Sequence, residues 1–311
     1  MRDKLEVHLH TNDSCNLKCI HCYNESGEKP ICNMPESSRL LELIKYFCAE
    51  YEAEIHLEGG EIFLRTDLLR QMNCLPTEIL QCITITTNGT ICTDDSEIIE
   101  MLCRIHALRV SVEGHTDEQQ RTVRGITLDK VVKNALFYME SGIPVWLRLT
   151  MTNLNAEHLL DETLPYYMRK GFHRFQVYEF QPVGRGERYG DLLTVEDTLF
   201  FSFLEKLVMW KKENREDDLQ LKIMLPAARR EAVLSYKSQL KSNRLTVSEI
   251  ATENGISIHA DGSVFLCPWD NEENHCILNV YKNGMGHMED RLKQGELKHS
   301  CYYCSAVSIV C

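Results

Sequence analysis

A chain of 311 residues, 43% apolar and 26% charged, has the balance of a globular protein able to bury a core. Its 34 basic and 46 acidic side chains give a net charge of -12, which argues against a nucleic-acid partner, because phosphate-backbone binding needs clustered basic surface. No apolar run approaches the roughly 20 residues that span a bilayer, and the N-terminus lacks the basic and then apolar pattern of a signal peptide. A cytoplasmic location without a membrane partner is expected.

Residues 5–11, LEVHLHT, alternate as a half-buried strand does and run straight into a loop carrying Cys15, Cys19 and Cys22. After Pro35, Leu40, Leu41, Ile44, Phe47, Cys48 and Tyr51 recur at helical spacing. The alternation then repeats: AEIHLEGGE and ITITTNGT as strands with turns, DDSEIIEMLCRIHA as a helix and LRVSVEG as a strand. An amphipathic helix near 128–139, the strand VWLRLTM, a helix near 156–170 and the strand FQVYEFQPVG follow. Six strands alternating mostly with helices predict an α/β fold with a parallel sheet, barrel or doubly wound, whose chemistry sits at the C-terminal strand ends. From about 195 to 245 the chain reads as helical, with a packing stripe of Leu199, Phe200, Phe203, Leu204, Leu207 and Val208. GISIHADGSVFLC then predicts a hairpin turning at Asp261-Gly262. The expected division is 1–190, a helical bridge over 191–245, and a cysteine-rich domain over 246–311.

Fourteen cysteines in a chain with no export signal are not a disulfide framework, since a reducing compartment keeps thiols free. Two sets have ligand-like spacing: Cys15, Cys19 and Cys22, and, near the other end, Cys267, Cys276, Cys301, Cys304 and Cys311. Three thiolates in one short loop can hold an iron–sulfur cluster, or zinc if His21 completes four ligands. Cys48 and Cys103 sit on apolar helix stripes and read as packing. Cys32, in the loop after the first set, is a candidate catalytic thiol.

CNLKCIHC resembles the signature of the radical S-adenosylmethionine (radical SAM) family, three cysteines spaced three and then two residues apart with an adjoining aromatic, here Tyr23. Gly59, Gly60 and Glu61 resemble that family's GGE motif; TTNGT (86–90), SVEG (111–114) and RLTMTN resemble motifs at its later strand ends. The resemblance covers about residues 5–185. It implies a partial, six-stranded TIM-like barrel, a 4Fe-4S cluster on Cys15, Cys19 and Cys22 with one iron open to S-adenosylmethionine, and a flavodoxin- or ferredoxin-type reductant. It also implies cosubstrate contacts: Tyr23 against adenine, Gly59 and Gly60 admitting the methionyl ammonium, Glu61 accepting from it, and Asn88, Ser111 and Arg148 lining the pocket, with Arg148 on the carboxylate. GRGERYG (184–190) lacks the spacing of a dinucleotide fingerprint and resembles the family's turn near adenine.

ADGSVFLC with Cys301 and Cys304 resembles the auxiliary-cluster region of the SPASM and Twitch subfamilies, without the cysteine that their pattern places before the glycine. The resemblance implies a second 4Fe-4S cluster on Cys267, Cys301, Cys304 and Cys311; a zinc ribbon is the alternative for this set. It points to a peptide maturase: an oxidoreductase-like enzyme that crosslinks, epimerises or oxidises a ribosomally synthesised peptide or protein. Because Cys15 comes so early, no leader-binding domain is expected ahead of it, and a peptide would dock elsewhere or through a separate leader-binding protein. A small-molecule dehydrogenase or rearrangement enzyme, and a non-catalytic zinc-binding interaction protein, are the other readings.

Overall fold

The computed structural model describes residues 2–27, 34–214, 218–249, 255–270, 273–293 and 305–311. Strands β1 (Lys4–Asn12), β2 (Glu52–Gly59), β3 (Ile83–Thr87), β4 (Ala107–Val112), β5 (Val145–Met151) and β6 (Arg174–Glu179) pair in parallel, each with the next, as the alternation predicts. Between them, helices such as Ser37–Glu50 and Leu128–Glu140 bury Leu40, Leu43, Ile44 and Phe47, or Val131, Val132, Ala135 and Tyr138, against the sheet's outer face. Each barrel strand divides its side chains by parity: Val7 and Leu9, Ile55 and Leu57, and Leu147 and Leu149 are buried outward in this core. The alternate residues Glu6, His8, His56, Arg109, Arg148 and Tyr178 line a common internal cavity. One cavity touching residues of all six strands requires the sheet to curl round it, which makes the expected partial barrel.

The stretch expected to be helical contains a strand. β7 (Gln220–Pro226) lies parallel to β6 and extends the barrel wall. Its alternation, with Leu221, Ile223 and Leu225 buried outward and Lys222 and Met224 on the cavity, is a period-two signal that the apolar stripe of the preceding helix Asp197–Glu213 overshadows.

The C-terminal residues continue the same sheet at both edges. β8 (Thr246–Glu249) pairs with β12 (Ser305–Val310), which runs antiparallel to β7. β9 (Gly255–Ile258) pairs in parallel with β1 and turns at Asp261-Gly262 into β10 (Ser263–Phe265), as the Asp-Gly pair predicts; β11 (Leu278–Asn279) completes that edge. Gly262 has φ +88°, and the Asp261 carboxylate accepts from Ser263 N at 2.9 Å. β1 is therefore an interior strand, flanked by β2 and β9.

Ile309 on β12 is fully buried against this core. Ile309→Ala should lower stability by about 2–5 kcal/mol, as cavity-forming truncations do, seen as an earlier urea transition that begins with loss of the β7 edge.

Candidate active site

The cysteine loop is fixed from three sides before any cofactor is considered. From β2, Gly60 N donates to Asn12 O at 2.7 Å and Glu61 N to Ser14 O at 2.8 Å. A Cβ on Gly60 would fall on the Ser14 carbonyl, and one on Gly59, at φ +115°, on that of Asn12, so only glycine permits this approach. From the helix Asp117–Arg124, Val123 O accepts from Ile20 N at 2.9 Å. From the other side of the barrel, Arg185 reaches the carbonyls of Cys19, Glu25 and Ser26, and its backbone N donates to Cys22 O at 3.0 Å. Gly184 passes so close to Tyr23 O that a side chain would collide with it. The GRGERYG segment thus clamps the cysteine loop.

Cys15, Cys19 and Cys22 face a cavity of about 120 Å³. The same cavity is lined by Tyr23, Gly59, Gly60, Asn88, Ser111 and Arg148, so the structure brings those sequence-predicted residues together. Glu61 is placed differently. Buried at 1% exposure, its carboxylate accepts from Phe63 N, Thr87 Oγ1 and Asn88 N at 3.0, 2.7 and 2.8 Å, tying the Gly-Gly turn to the end of β3. Asn88 Nδ2 in turn donates to Asn16 Oδ1 at 2.8 Å and lies 3.7 Å from Cys15 Sγ. Cys267 is buried just beyond β10, and Cys311 exchanges backbone hydrogen bonds with Leu221 at the start of β7. Cys32, Cys301 and Cys304 lie outside the described residues.

Burial raises the Cys15 thiol above its ordinary value and carries that of Cys19 to about 12, even with the Arg124 guanidinium beside it. Thiols held protonated in this way must lose their protons to a metal centre as it binds. A single tetrahedral zinc would gather four ligand atoms within about 4 Å of one another. Among the described residues the three sulfurs do not meet within 4.8 Å, and His21 Nε2 is engaged with Glu113 Oε1 at 3.1 Å. Three thiols spread round one cavity, beside a backbone cradle that only glycine allows, fit a multi-iron centre with a cosubstrate alongside.

Several residues here escaped the sequence reading. Arg124 and Glu113 form a buried pair at 2.6 Å, with Arg124 Nη1 4.0 Å from Cys19 Sγ. Glu58 lines this cavity and the larger one below it, accepting from Tyr23 OH at 3.2 Å and pairing with His8. Trp269, beyond the hairpin, walls both cavities. Two of these left a sequence signal: Trp269 is an aromatic two residues after Cys267, and Glu113 is the glutamate of the SVEG motif.

Residues 9–162 match the radical SAM superfamily. The chain belongs to that superfamily. Its cofactors are accordingly a 4Fe-4S cluster and S-adenosylmethionine. A probable GTP 3',8-cyclase of Methanosarcina mazei is 25% identical over 168 residues, which are 51% of this chain and 49% of that protein. The chain thus spans about half the length of that relative. By structure, the radical SAM chain is similar to SuiB of Streptococcus suis bound to S-adenosylmethionine (TM-score 0.72, 16% identity, 94% of this chain and 68% of that one). It is also similar to anSMEcpe with bound AdoMet and the Cp18Cys peptide (TM-score 0.65, 17% identity, 96% and 84%). These likenesses show the fold.

Gly60→Ala should abolish S-adenosylmethionine binding in equilibrium dialysis, because the turn and the cysteine loop cannot both keep their places. A second expectation concerns Glu179, at the rim of the cavity, whose carboxyl burial lifts to about 7 against the pull of Arg229. Between about pH 4.5 and 7 the unfolded chain releases this proton while the folded chain keeps it, so stability falls as pH rises through that window. Thermal midpoints at pH 5 and pH 8 should differ less in Glu179→Gln than in the wild type.

Proposed function

We propose that this radical SAM enzyme acts on a peptide or protein, taking one residue of it into the barrel lumen for hydrogen abstraction. The observation that carries this reading is the lumen itself. A cavity of about 680 Å³ lies below the cysteine-loop cavity and shares Tyr23, Glu58, Arg148, Tyr178 and Trp269 with it. Its size fits one or two amino-acid residues. The C-terminal segment contributes Leu266, Pro268 and Trp269 to its wall, so barrel and hairpin enclose the occupant together. The fold likeness that extends over nearly the whole chain, and includes an enzyme seen with a bound peptide, supports the same reading.

When bound, the cluster and S-adenosylmethionine supply, on one-electron reduction by a flavodoxin- or ferredoxin-type donor, a 5'-deoxyadenosyl radical that abstracts hydrogen. The chain's own part is holding and orienting. Cys15, Cys19 and Cys22 ligate the cluster; Gly59 and Gly60 let the methionyl ammonium approach backbone carbonyls. Arg148, stacked 4.7 Å over the Tyr178 ring and with no carboxylate within ion-pair distance among the described residues, is available to the cosubstrate carboxylate. Asn88 and Ser111 supply polar contacts, and Tyr23, held by Glu58, offers an aromatic face. Arg124 keeps a buried positive charge beside Cys19. The reaction takes place in the cytoplasm.

For the C-terminal set, the reading is an auxiliary 4Fe-4S cluster on Cys267, Cys301, Cys304 and Cys311, with Cys32 as hydrogen-atom donor. Cys267→Ala should remove one cluster's share of iron and sulfide and spare part of the S-adenosylmethionine cleavage. Zinc in place of that iron would support a zinc ribbon instead.

The decisive test is anaerobic reconstitution followed by assay of 5'-deoxyadenosine with a deuterated cell extract divided by size into peptide and small-molecule pools. Deuterium should enter 5'-deoxyadenosine from the peptide pool, and protease treatment of that pool should stop it. Transfer from the small-molecule pool alone would move the assignment to the class of reaction that the Methanosarcina mazei relative's name suggests. Replacing Cys15, Cys19 or Cys22 with Ala should abolish cleavage altogether.

A further inference from the structure

The lumen wall formed by β1 and β2 carries a cluster that none of the cysteine chemistry uses. His8 and His56 are opposite one another in the β1–β2 register, with ring centroids 4.9 Å apart. Glu6, one inward position earlier, sets Oε1 2.9 Å from His56 Nε2 and 3.4 Å from His8 Nε2. All three ligand atoms lie within 4.8 Å of one another. His56 Nε2 is buried and, despite its closeness to Glu6, lacks the alignment of a hydrogen bond. Atoms that converge without pointing at each other are placed as ligands of one ion are, since two donors about 2.1 Å from a tetrahedral metal lie about 3.4 Å apart.

The surroundings fit the same reading. His8 Nδ1 is hydrogen-bonded to Glu58, which leaves Nε2 as the face turned toward Glu6. A carboxylate behind an imidazole is the usual outer support of a metal-bound histidine, fixing its tautomer and ring orientation. All four residues line the open lumen, where further coordination positions would face the cavity. Two imidazoles and one carboxylate with open positions suit first-row divalent ions such as Fe²⁺, Zn²⁺ or Mn²⁺.

We propose that Glu6, His8 and His56 form a divalent-metal site in the barrel lumen, distinct from the cysteine centres. Its open positions would anchor an oxygen or nitrogen donor of the lumen's occupant, a use that rests on the proposed function; the site itself does not. Two groups oppose loading: His8, whose Nε2 must give up its proton to solvent as the metal binds, and Arg109. Arg109 Nη1 donates to His56 Nδ1 at 3.1 Å, which keeps the imidazole proton on Nε2 in the metal-free chain. Metal binding moves that proton to Nδ1 and requires Arg109 to withdraw into the lumen. The site is therefore gated by this guanidinium.

The probe is Co²⁺, added without substrate to the anaerobic holoenzyme with its clusters in place. Bound metal is counted by equilibrium dialysis and its ligands are read at the cobalt X-ray absorption edge, separate from that of iron. One equivalent should bind in a shell of imidazole nitrogen and oxygen. His8→Ala and His56→Ala should each weaken binding at least tenfold, as should the milder His56→Gln, which keeps the lumen polar. Arg109→Gln, whose carbonyl can accept the Nδ1 proton, should tighten binding several-fold. No bound cobalt in the wild type, a sulfur shell, or affinity unmoved by either His56 variant would overturn the proposal. Loss of 5'-deoxyadenosine formation with cobalt binding intact would count against the proposed function and leave the metal site standing.

Discussion

The approach of the Gly59–Gly60 turn to the backbone of Asn12 and Ser14 is the contact on which the active site depends. Two hydrogen bonds join the end of β2 to the start of the cysteine loop, and neither glycine tolerates a side chain there. The contact fixes where the loop leaves β1 and, through Glu61, ties that point to the end of β3. Hydrogen bonds from Arg185 to three carbonyls then hold the loop's far end. The three thiols share one cavity because the backbone round them is fixed, which is the preorganisation that a site needs when its cofactor arrives later.

Beneath that site the barrel interior is a network of charge and not an apolar plug. Burial would raise the Glu58 carboxyl, but the charge and hydrogen bond of His8 carry it well below the usual range; burial would lower His8, and Glu58 with Glu6 lifts it to about 9. Burial takes His10 down to about 3, and burial with the nearby Arg109 takes His56 to about 4. At neutral pH β1 and β2 therefore carry inward ionised carboxylates, one cationic imidazole at His8 and neutral ones at His56 and, further along β1, His10. Such an interior is costly to desolvate and repays the cost only when each polar atom meets a partner, whether protein, water or ligand.

Much of this was legible in the sequence, because the signals involved are local. Period-two alternation identified six strands, the Asp261-Gly262 pair identified the hairpin, and the family resemblance of the motifs implied one pocket for Tyr23, Gly60, Asn88, Ser111 and Arg148, where the structure brings them together. β7 was hidden because its alternation is short and follows a strong helical stripe. Glu61 looked like a ligand contact, yet its carboxylate is used by three donors at the strand ends, a relation that depends on residues 26 and 27 positions further along the chain. Glu58 meets His8 through the β1–β2 pairing, and Glu113 meets Arg124 through the return of the helix Asp117–Arg124, relations that no motif spacing announces. His8 and His56 carry no motif of their own; their meaning arises from the β1–β2 register.

The interior position of β1 has a consequence for how the molecule is made. Glu6 lies opposite both Glu54 and Gly255, so the strand that launches the cysteine loop takes its second neighbour from a segment roughly 250 residues further along the chain. A nascent chain emerging from the ribosome can pair β1 with β2 early, but one edge of β1 then stays open until β9 has been made. Such long-range pairing slows folding and exposes an unpaired edge to other chains. The hairpin that closes this edge leads directly into Trp269 of the lumen wall, so one segment completes both.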